Sequence, residues 1–325
     1  MRVNPMLHAL RSRRQRTTDE RGAVAVMLVV MIVVLLGSAA LALDLGQHWA
    51  ARRNIVTASD ASALAAAREF AFGGDGCTSV AASYVTANYD GADLDSCASA
   101  GSEYDGTVTV AASSDLDLLF APVLGFESDS VDASTTARYG APLGVRRLRP
   151  FGLCLDADAF DAWTDRSTGY GPIRITYGKS HPSDCGSRTP GNWGILDFNG
   201  GSVSNAETSE WVLDGYPGTV TAPTWIGGSP GAFSNTLPLG SIVGETFPLP
   251  LFDGTGESGS NAQFHVVGFV NVTLHAFRAT GPQANRYLEV SFVTGILQGT
   301  CCGVPETDTG VRVVGICAVD PDQNC

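Results

Sequence analysis

The sequence predicts an α+β protein: a single N-terminal transmembrane helix that continues into a compact α+β head, then a β-rich, antiparallel sandwich-like exported domain. Three observations predict it. Residues 23–43 form an uncharged apolar run. Residues 44–72 continue it with apolar and small residues spaced at three and four. Beyond residue 150, short β-branched and aromatic runs alternate with clusters of Gly, Pro, Asn and Asp.

At about 1.5 Å of helical rise per residue the apolar run spans about 31 Å, the thickness of a bilayer's hydrocarbon core. Only Gly37 and Ser38 interrupt its Val, Ile, Leu, Ala and Met composition. Arg2, Arg11, Arg13, Arg14, Arg16 and Arg21 precede it, whereas only Arg52 and Arg53 follow closely. The positive-inside bias therefore makes residues 1–22 a cytoplasmic basic N-terminus, residues 23–43 a single-pass anchor in the lipid bilayer of the cell membrane, and the remainder extracytoplasmic. Ala40-Leu41-Ala42 would offer small residues to a signal peptidase. Secretory apolar regions run to about 7–15 residues, however, so this longer run is expected to stay uncleaved.

Residues 44–140 are expected to form the helix and head. The stripe Leu45, Trp49, Arg52, Val56, Ser59, Ala63, Ala66 and Phe70 continues the helix to Gly73-Gly74. Its small residues suit packing on the chain's own head or bundling with other subunits, and both stay open. The head should hold a helix at 78–88, a strand at 107–111, an apolar helix at 116–124 and a strand at 130–139. Residues 141–150, with Pro142, Gly144, Arg146, Arg147, Arg149 and Pro150, read as a linker. Residues 151–325 then form a disulfide-stapled domain, with strands at 173–177, 195–198, 247–252, 264–277, 287–297 and 311–319, and one helix at 206–213. The runs 264–277 and 287–297 read as a long hairpin.

The formal net charge is -13 and Lys179 is the one lysine, which argues against nucleic acid as a partner. Eight cysteines in a segment placed outside the cytoplasm predict disulfides. Cys77 and Cys97 are the plausible local pair, leaving Cys154, Cys185, Cys301, Cys302, Cys317 and Cys325 for the second module. The adjacent Cys301 and Cys302 are expected to bond to different partners.

Chemical motifs are poor. Gly227-Gly228-Ser229-Pro230-Gly231 has the spacing of a nucleophile elbow, but Pro230 lacks the N–H that an oxyanion hole needs there. Gly254-Thr255-Gly256-Glu257-Ser258-Gly259 has dinucleotide-loop spacing, yet a strand follows it in place of a helix. Gly178-Lys179-Ser180 ends like a phosphate loop, with Ile173 where the earlier glycine belongs. His265 and His275 lie about 34 Å apart along one strand, too far to share a metal. His181 with Cys185 competes with disulfide formation at Cys185. The groups Asp156, Asp158 and Asp161, and Asp320, Asp322 and Asn324, are incomplete as calcium loops. Asn271-Val272-Thr273 matches a glycosylation sequon in mid-strand. No catalytic, cofactor-binding or metal site is expected.

The segment Glu20-Arg21-Gly22-Ala23-Val24-Ala25-Val26, the apolar span, Asp44, Arg52-Arg53 and residues 58–67 (ASDASALAAA) resemble the N-terminus of the TadE/TadG-like proteins of bacterial tight-adherence (Flp) pilus assembly. The resemblance extends loosely to about residue 140, as a pilin-like helix-plus-head module. Gly191-Asn192-Trp193-Gly194 and residues 264–269 (FHVVGF) are similar to C-terminal extensions of such proteins. It implies a membrane-anchored structural component of pilus assembly or envelope attachment, not an enzyme, with other pilus-assembly or envelope proteins as partners and no cofactor. One departure counts against processing into a fibre: Met27 stands five residues after Gly22, where processed pilins carry Glu. The alternative is a cell-surface binding module recognising a polysaccharide or protein. A row of exposed Trp163, Trp211 and Trp225 would favour it, and buried tryptophans would count against it.

Overall fold

The structure, a computed structural model, describes residues 20–125, 128–154, 172–176, 192–201, 204–230, 237–256, 261–282, 285–305 and 308–317. It is mixed α+β: a long N-terminal helix, then β-rich sheets. Helix α1 (Glu20–Ala71) runs unbroken for 52 residues. The chain divides into two compact units, Met1–Ala51 with Asp115–Ser130, and Arg52–Ser114 with Val131–Cys325.

The first unit contains the outer part of α1 and the loop between strands β2 and β3. A helix is expected at 116–124, but β2 (Asp105–Asp117) occupies the start of that stretch and only a short 3₁₀ turn, Ala121–Leu124, follows. Pro122 is the reason. It has no N–H to give to a preceding turn, so it is tolerated at a helix start and not in mid-helix. Gly125 closes the turn at φ 92°, a left-handed conformation that glycine adopts freely.

In the second unit the inner part of α1 buries Ile55, Ala58, Ser59, Ser62, Ala63, Ala66, Ala67 and Ala71. The last four alanines of this stripe pack with Ala81 of α2 (Cys77–Asn88), Val108 and Val110 of β2, and Ala137 and Tyr139 of β3 (Ser128–Arg146). This resolves the open choice for the inner stripe, which packs on the chain's own head. The expected stripe is buried only in its second half: Ser59, Ala63 and Ala66 have zero exposure, whereas Leu45, Trp49, Arg52 and Val56 are exposed. A helix lying on a sheet needs the broad i, i+3, i+4 face, not the narrower seam traced by alternating spacings of three and four.

One seven-stranded sheet runs β1–β2–β3–β14–β12, with β13 and β7 also pairing with β3. Strand β1 (Ala92–Gly101) has no counterpart among the expected strands. Its sequence, ADLDSCASAG, has neither alternation nor β-branched residues, and pairing with β2 alone makes it a strand. Residues 141–150, expected as a linker, hold the end of β3 and the fully buried Leu148. There β3 pairs successively with β14 (Val311–Ile316) at residues 137–140, with β13 (Gly299–Gly303) at 141–145 and with β7 (Thr219–Thr221) at 144–146. Gly140 sits where a Cβ would collide with the carbonyl oxygen of Tyr104. One strand thus serves both the head and the β-rich part.

The arginine cluster of this stretch is spent on structure. Arg146 donates to the carbonyl of Pro217, and Arg147 to that of Asp214. The buried Arg149 donates to Trp211 O and pairs with Glu245 at 3.4 Å; burial pulls its pKa down and Glu245 opposes that. Trp211 belongs to α3 (Asn205–Asp214), the expected helix at 206–213. A reciprocal capping box fixes its start: Glu207 N–H donates to Ser204 Oγ, and Ser204 N–H to Glu207 Oε2.

The second sheet runs β4 (Leu153–Cys154), β9 (Thr246–Gly256), β10 (Gln263–Arg278), β11 (Tyr287–Phe292) and β5 (Ile173–Thr176), with β8 (Thr224–Pro230) joining β10 to β6 (Asn192–Asp197). The expected hairpin is present as antiparallel β10 and β11, paired from Val272↔Phe292 to Arg278↔Tyr287. The expected run 287–297 is split, its end forming β12 (Gly295–Ile296), which pairs in parallel with β14 in the other sheet. One core lies within this sheet, around Phe151, Leu249, Val272, Leu274 and Leu288. Another takes Val145 and Val311 from the first sheet with Phe264, Val266 and Phe269 from the second, so the two sheets share a core.

Candidate membrane-anchoring site

Along α1 from Val24 to Leu36 every large apolar side chain is exposed, from 45% at Ile32 to 74% at Met27, and Leu41 and Leu43 continue the series. One helix among the described residues is thus long and apolar enough to cross a membrane. A helix that is apolar all round and packs on no protein needs a solvent as apolar as itself. Its one hydroxyl is already satisfied, since Ser38 Oγ donates to Val34 O at 2.7 Å. Transfer into lipid therefore strands no donor.

Asp44 follows the run immediately and is only 7% exposed. Its Oδ1 accepts from the backbone N–H groups of Leu119 at 3.0 Å and Phe120 at 3.2 Å, and its Oδ2 from Phe120 at 3.1 Å and Ala121 at 2.8 Å. These are orphan donors at the start of the 3₁₀ turn, and a carboxylate facing successive N–H groups is the favourable sign of charge there. Asp44 is thereby a helix residue that caps a distant loop. One turn on, His48 Nε2 lies 3.3 Å from Asp129 Oδ2, a second tie to the same loop region. Sequence reading missed both ties. A lone carboxylate directly after an apolar span was the available signal, but its acceptors' partners are 75 to 77 residues away in sequence.

The inner part of α1 is fastened by a different set of bonds. Arg52 donates to Asp132 O at 2.7 Å. Ser59 Oγ and Thr135 Oγ1 lie 2.8 Å apart, and Thr135 Oγ1 donates to Asp60 Oδ1 at 2.7 Å. At its end, Arg312 of β14, 2% exposed, donates through Nε to the carbonyl of Ala71 at 2.8 Å and grips Asp308 through both terminal nitrogens. A cation on a terminal helix carbonyl meets the negative end of the helix dipole. Arg312 also lies over the Tyr104 ring at 5.1 Å. The Tyr104 phenol is raised above its usual pKa, chiefly by its hydrogen bond with Glu103 and then by burial, while Arg312 pulls the other way.

Cys77 and Cys97 are joined as expected, Cα atoms 5.9 Å apart, tying α2 to β1. Cys301 and Cys302 depart from expectation: they are joined to each other across a cis peptide bond, Cα atoms 3.1 Å apart. Cys154 and Cys317 each take part in a disulfide. Cys185 and Cys325 lie outside the described residues, as do Trp163, Lys179, His181 and the Asp156 and Asp320 groups.

The remaining candidates do not converge. Gly227 to Pro230 belong to strand β8, not to a strand–turn–helix elbow. Gly254 and Gly256 end β9. His275 bonds Ser291 at 2.8 Å, while His265 bonds Asp253 at 2.7 Å and stacks on Trp225 with ring centres 4.9 Å apart. Trp225 is 53% exposed, whereas Trp211 is buried against Phe198 and Tyr216. No group of three or more His, Cys, Asp or Glu among the described residues could hold a metal.

No curated protein and no solved structure matches this chain. Residues 22–69, the apolar span with Asp44 and the inner alanine stripe, match the model of the Tad family, "Putative Flp pilus-assembly TadE/G-like", which links this helix to Flp pilus assembly.

Proposed function

We propose that the protein is a membrane-anchored structural component of Flp pilus assembly or envelope attachment, held by α1 with residues 1–22 in the cytoplasm and the β-rich part outside. The observation that carries this reading is the wholly exposed apolar stretch of α1, which lies within the Tad-matching residues. Its work is tethering and presentation, with other pilus-assembly or envelope proteins as partners, and it uses no catalytic residue or cofactor. After alkaline carbonate washing the protein stays in the membrane pellet and retains its arginine-rich leader. Protease added to intact spheroplasts removes the β-rich part and spares residues 1–22. A soluble form beginning near Leu43, or a protected β-rich part, would overturn the reading.

A surface-recognition module is the second reading, favoured by one observation: Trp225 offers an exposed indole beside the His265–Asp253 pair. Aromatic faces flanked by polar groups suit sugar rings. Under this reading Trp225→Ala abolishes binding of the purified protein to cell-surface polysaccharide. Unchanged binding removes it.

A further inference from the structure

The loop between β2 and β3 opens with Leu118-Leu119-Phe120-Ala121-Pro122-Val123-Leu124-Gly125, eight residues without a charge or a polar side chain, ahead of Phe126 and Glu127 in the sequence. Leu119 is 60% exposed and Phe120 42% exposed. Adjacent exposed apolar side chains at a loop tip are disfavoured in water, so an apolar covering stabilises them. The four hydrogen bonds to Asp44 say where it is held: beside the helix residue that directly follows the apolar run, with exposed Leu41, Leu43 and Leu45 on either side of that point. Leu119 and Phe120 therefore continue the helix's exposed apolar surface at its end. Trp49 adds an exposed indole just beyond, the residue type that gathers at membrane–water boundaries.

We propose that this loop is a second membrane-contacting element, inserting Leu119 and Phe120 into the lipid headgroup–acyl boundary, with Asp44 as the latch that holds it there. The occupant is lipid because the loop is held at the end of the exposed apolar span of α1, which is long enough to cross a membrane. The latch chemistry fits the place. A carboxylate at the edge of a bilayer is tolerated when its lone pairs are taken up, and the N–H groups of residues 119–121 lose their need for water in the same bonds. Anchoring by a helix alone leaves the emerging chain free to rotate and tilt. A second contact, fixed at Asp44, sets the rotation of α1 about its own axis at the membrane surface.

The inference rests on the membrane-anchor reading, and the test separates the two. The full-length protein is reconstituted in phosphatidylethanolamine–phosphatidylglycerol vesicles with the photocrosslinker p-benzoylphenylalanine replacing either Val33 or Phe120. Lipid adducts at both positions are expected. In the Asp44→Ala background the adduct yield at position 120 is expected to fall severalfold, with the yield at position 33 unchanged. Adducts at 33 with none at 120 overturn the second contact and leave the anchor standing. Absence at both positions removes the anchor reading and this inference with it. A protein–protein adduct at 120, running at twice the protomer mass, assigns the loop to a second copy and overturns lipid contact. Equal lipid yields at 120 with and without Asp44→Ala overturn the latch.

Discussion

The outer and inner parts of α1 belong to one uninterrupted helix, yet they are written for two different surroundings. From Val24 to Leu36 the helix carries bulky Val, Leu, Ile and Met on every side, all exposed. From Ile55 to Ala71 its buried face is almost wholly Ala and Ser, at zero exposure. Helix propensity does not distinguish the two, since both are rich in good or tolerated helix formers. Surroundings do. Lipid rewards apolar volume at all angles, whereas a sheet packed against a helix rewards small side chains on one face, which let backbones approach and pack densely. The polar partners differ accordingly: the outer stretch satisfies Ser38 within the helix, while the inner one reaches out to Thr135, Asp132 and Arg312.

The sharpest way to break this contrast is to remove the clamp at the inner end. Arg312→Met leaves Asp308 and the Ala71 carbonyl without their cation. It should cost about 3 kcal/mol, the low end for breaking a buried pair because Asp308 is partly exposed. For a unit of this size that corresponds to a fall of about 6–12 °C in Tm, read by circular dichroism on the detergent-solubilised protein. An unchanged Tm would mean that β14 does not secure the helix end.

Two further substitutions probe the inner module, and one of them overpacks the inner stripe. Ala66→Leu forces three extra carbon atoms into a site with no exposed surface, at about 1–3 kcal/mol. A matched fall in Tm is expected, with membrane retention unaltered. The Cys77–Cys97 bond closes a separation of 20 residues on the same module, and Cys97→Ala should lower stability by about 2–4 kcal/mol under oxidising conditions and not under reducing ones. A loss that persists in reductant would assign the effect to packing of the Cys97 side chain.

The smallest effect is expected in the outer stretch. Leu36 is 66% exposed, so Leu36→Ala should change stability by less than about 0.5 kcal/mol, while Val30→Arg with Val33→Arg should release protein into the carbonate supernatant. A large Tm loss from Leu36→Ala would mean that the outer stretch is packed against protein, and the contrast between the two parts would fail.

Much of this arrangement is legible in the sequence alone. The uncharged run at 23–43 and the Ala/Ser repeat after Arg53 dictate a helix because they are local patterns, and local patterns need no partner to be read. The same holds for α2, the β10–β11 hairpin and the Cys77–Cys97 pair. What tertiary structure alone decides is non-local. Strand β1 exists only by pairing with β2. Residues 141–146 look like a linker from their Pro, Gly and Arg, yet they pair with strands contributed from residues 219–221 and 299–303. Asp44 caps the 119–121 turn, and Arg312, with only Asp308 near it in sequence, clamps the helix end, only when partners 75 and 241 residues away arrive. A hydrogen bond has no signature in sequence until both of its ends are known, whereas the length and polarity of a helix are set residue by residue.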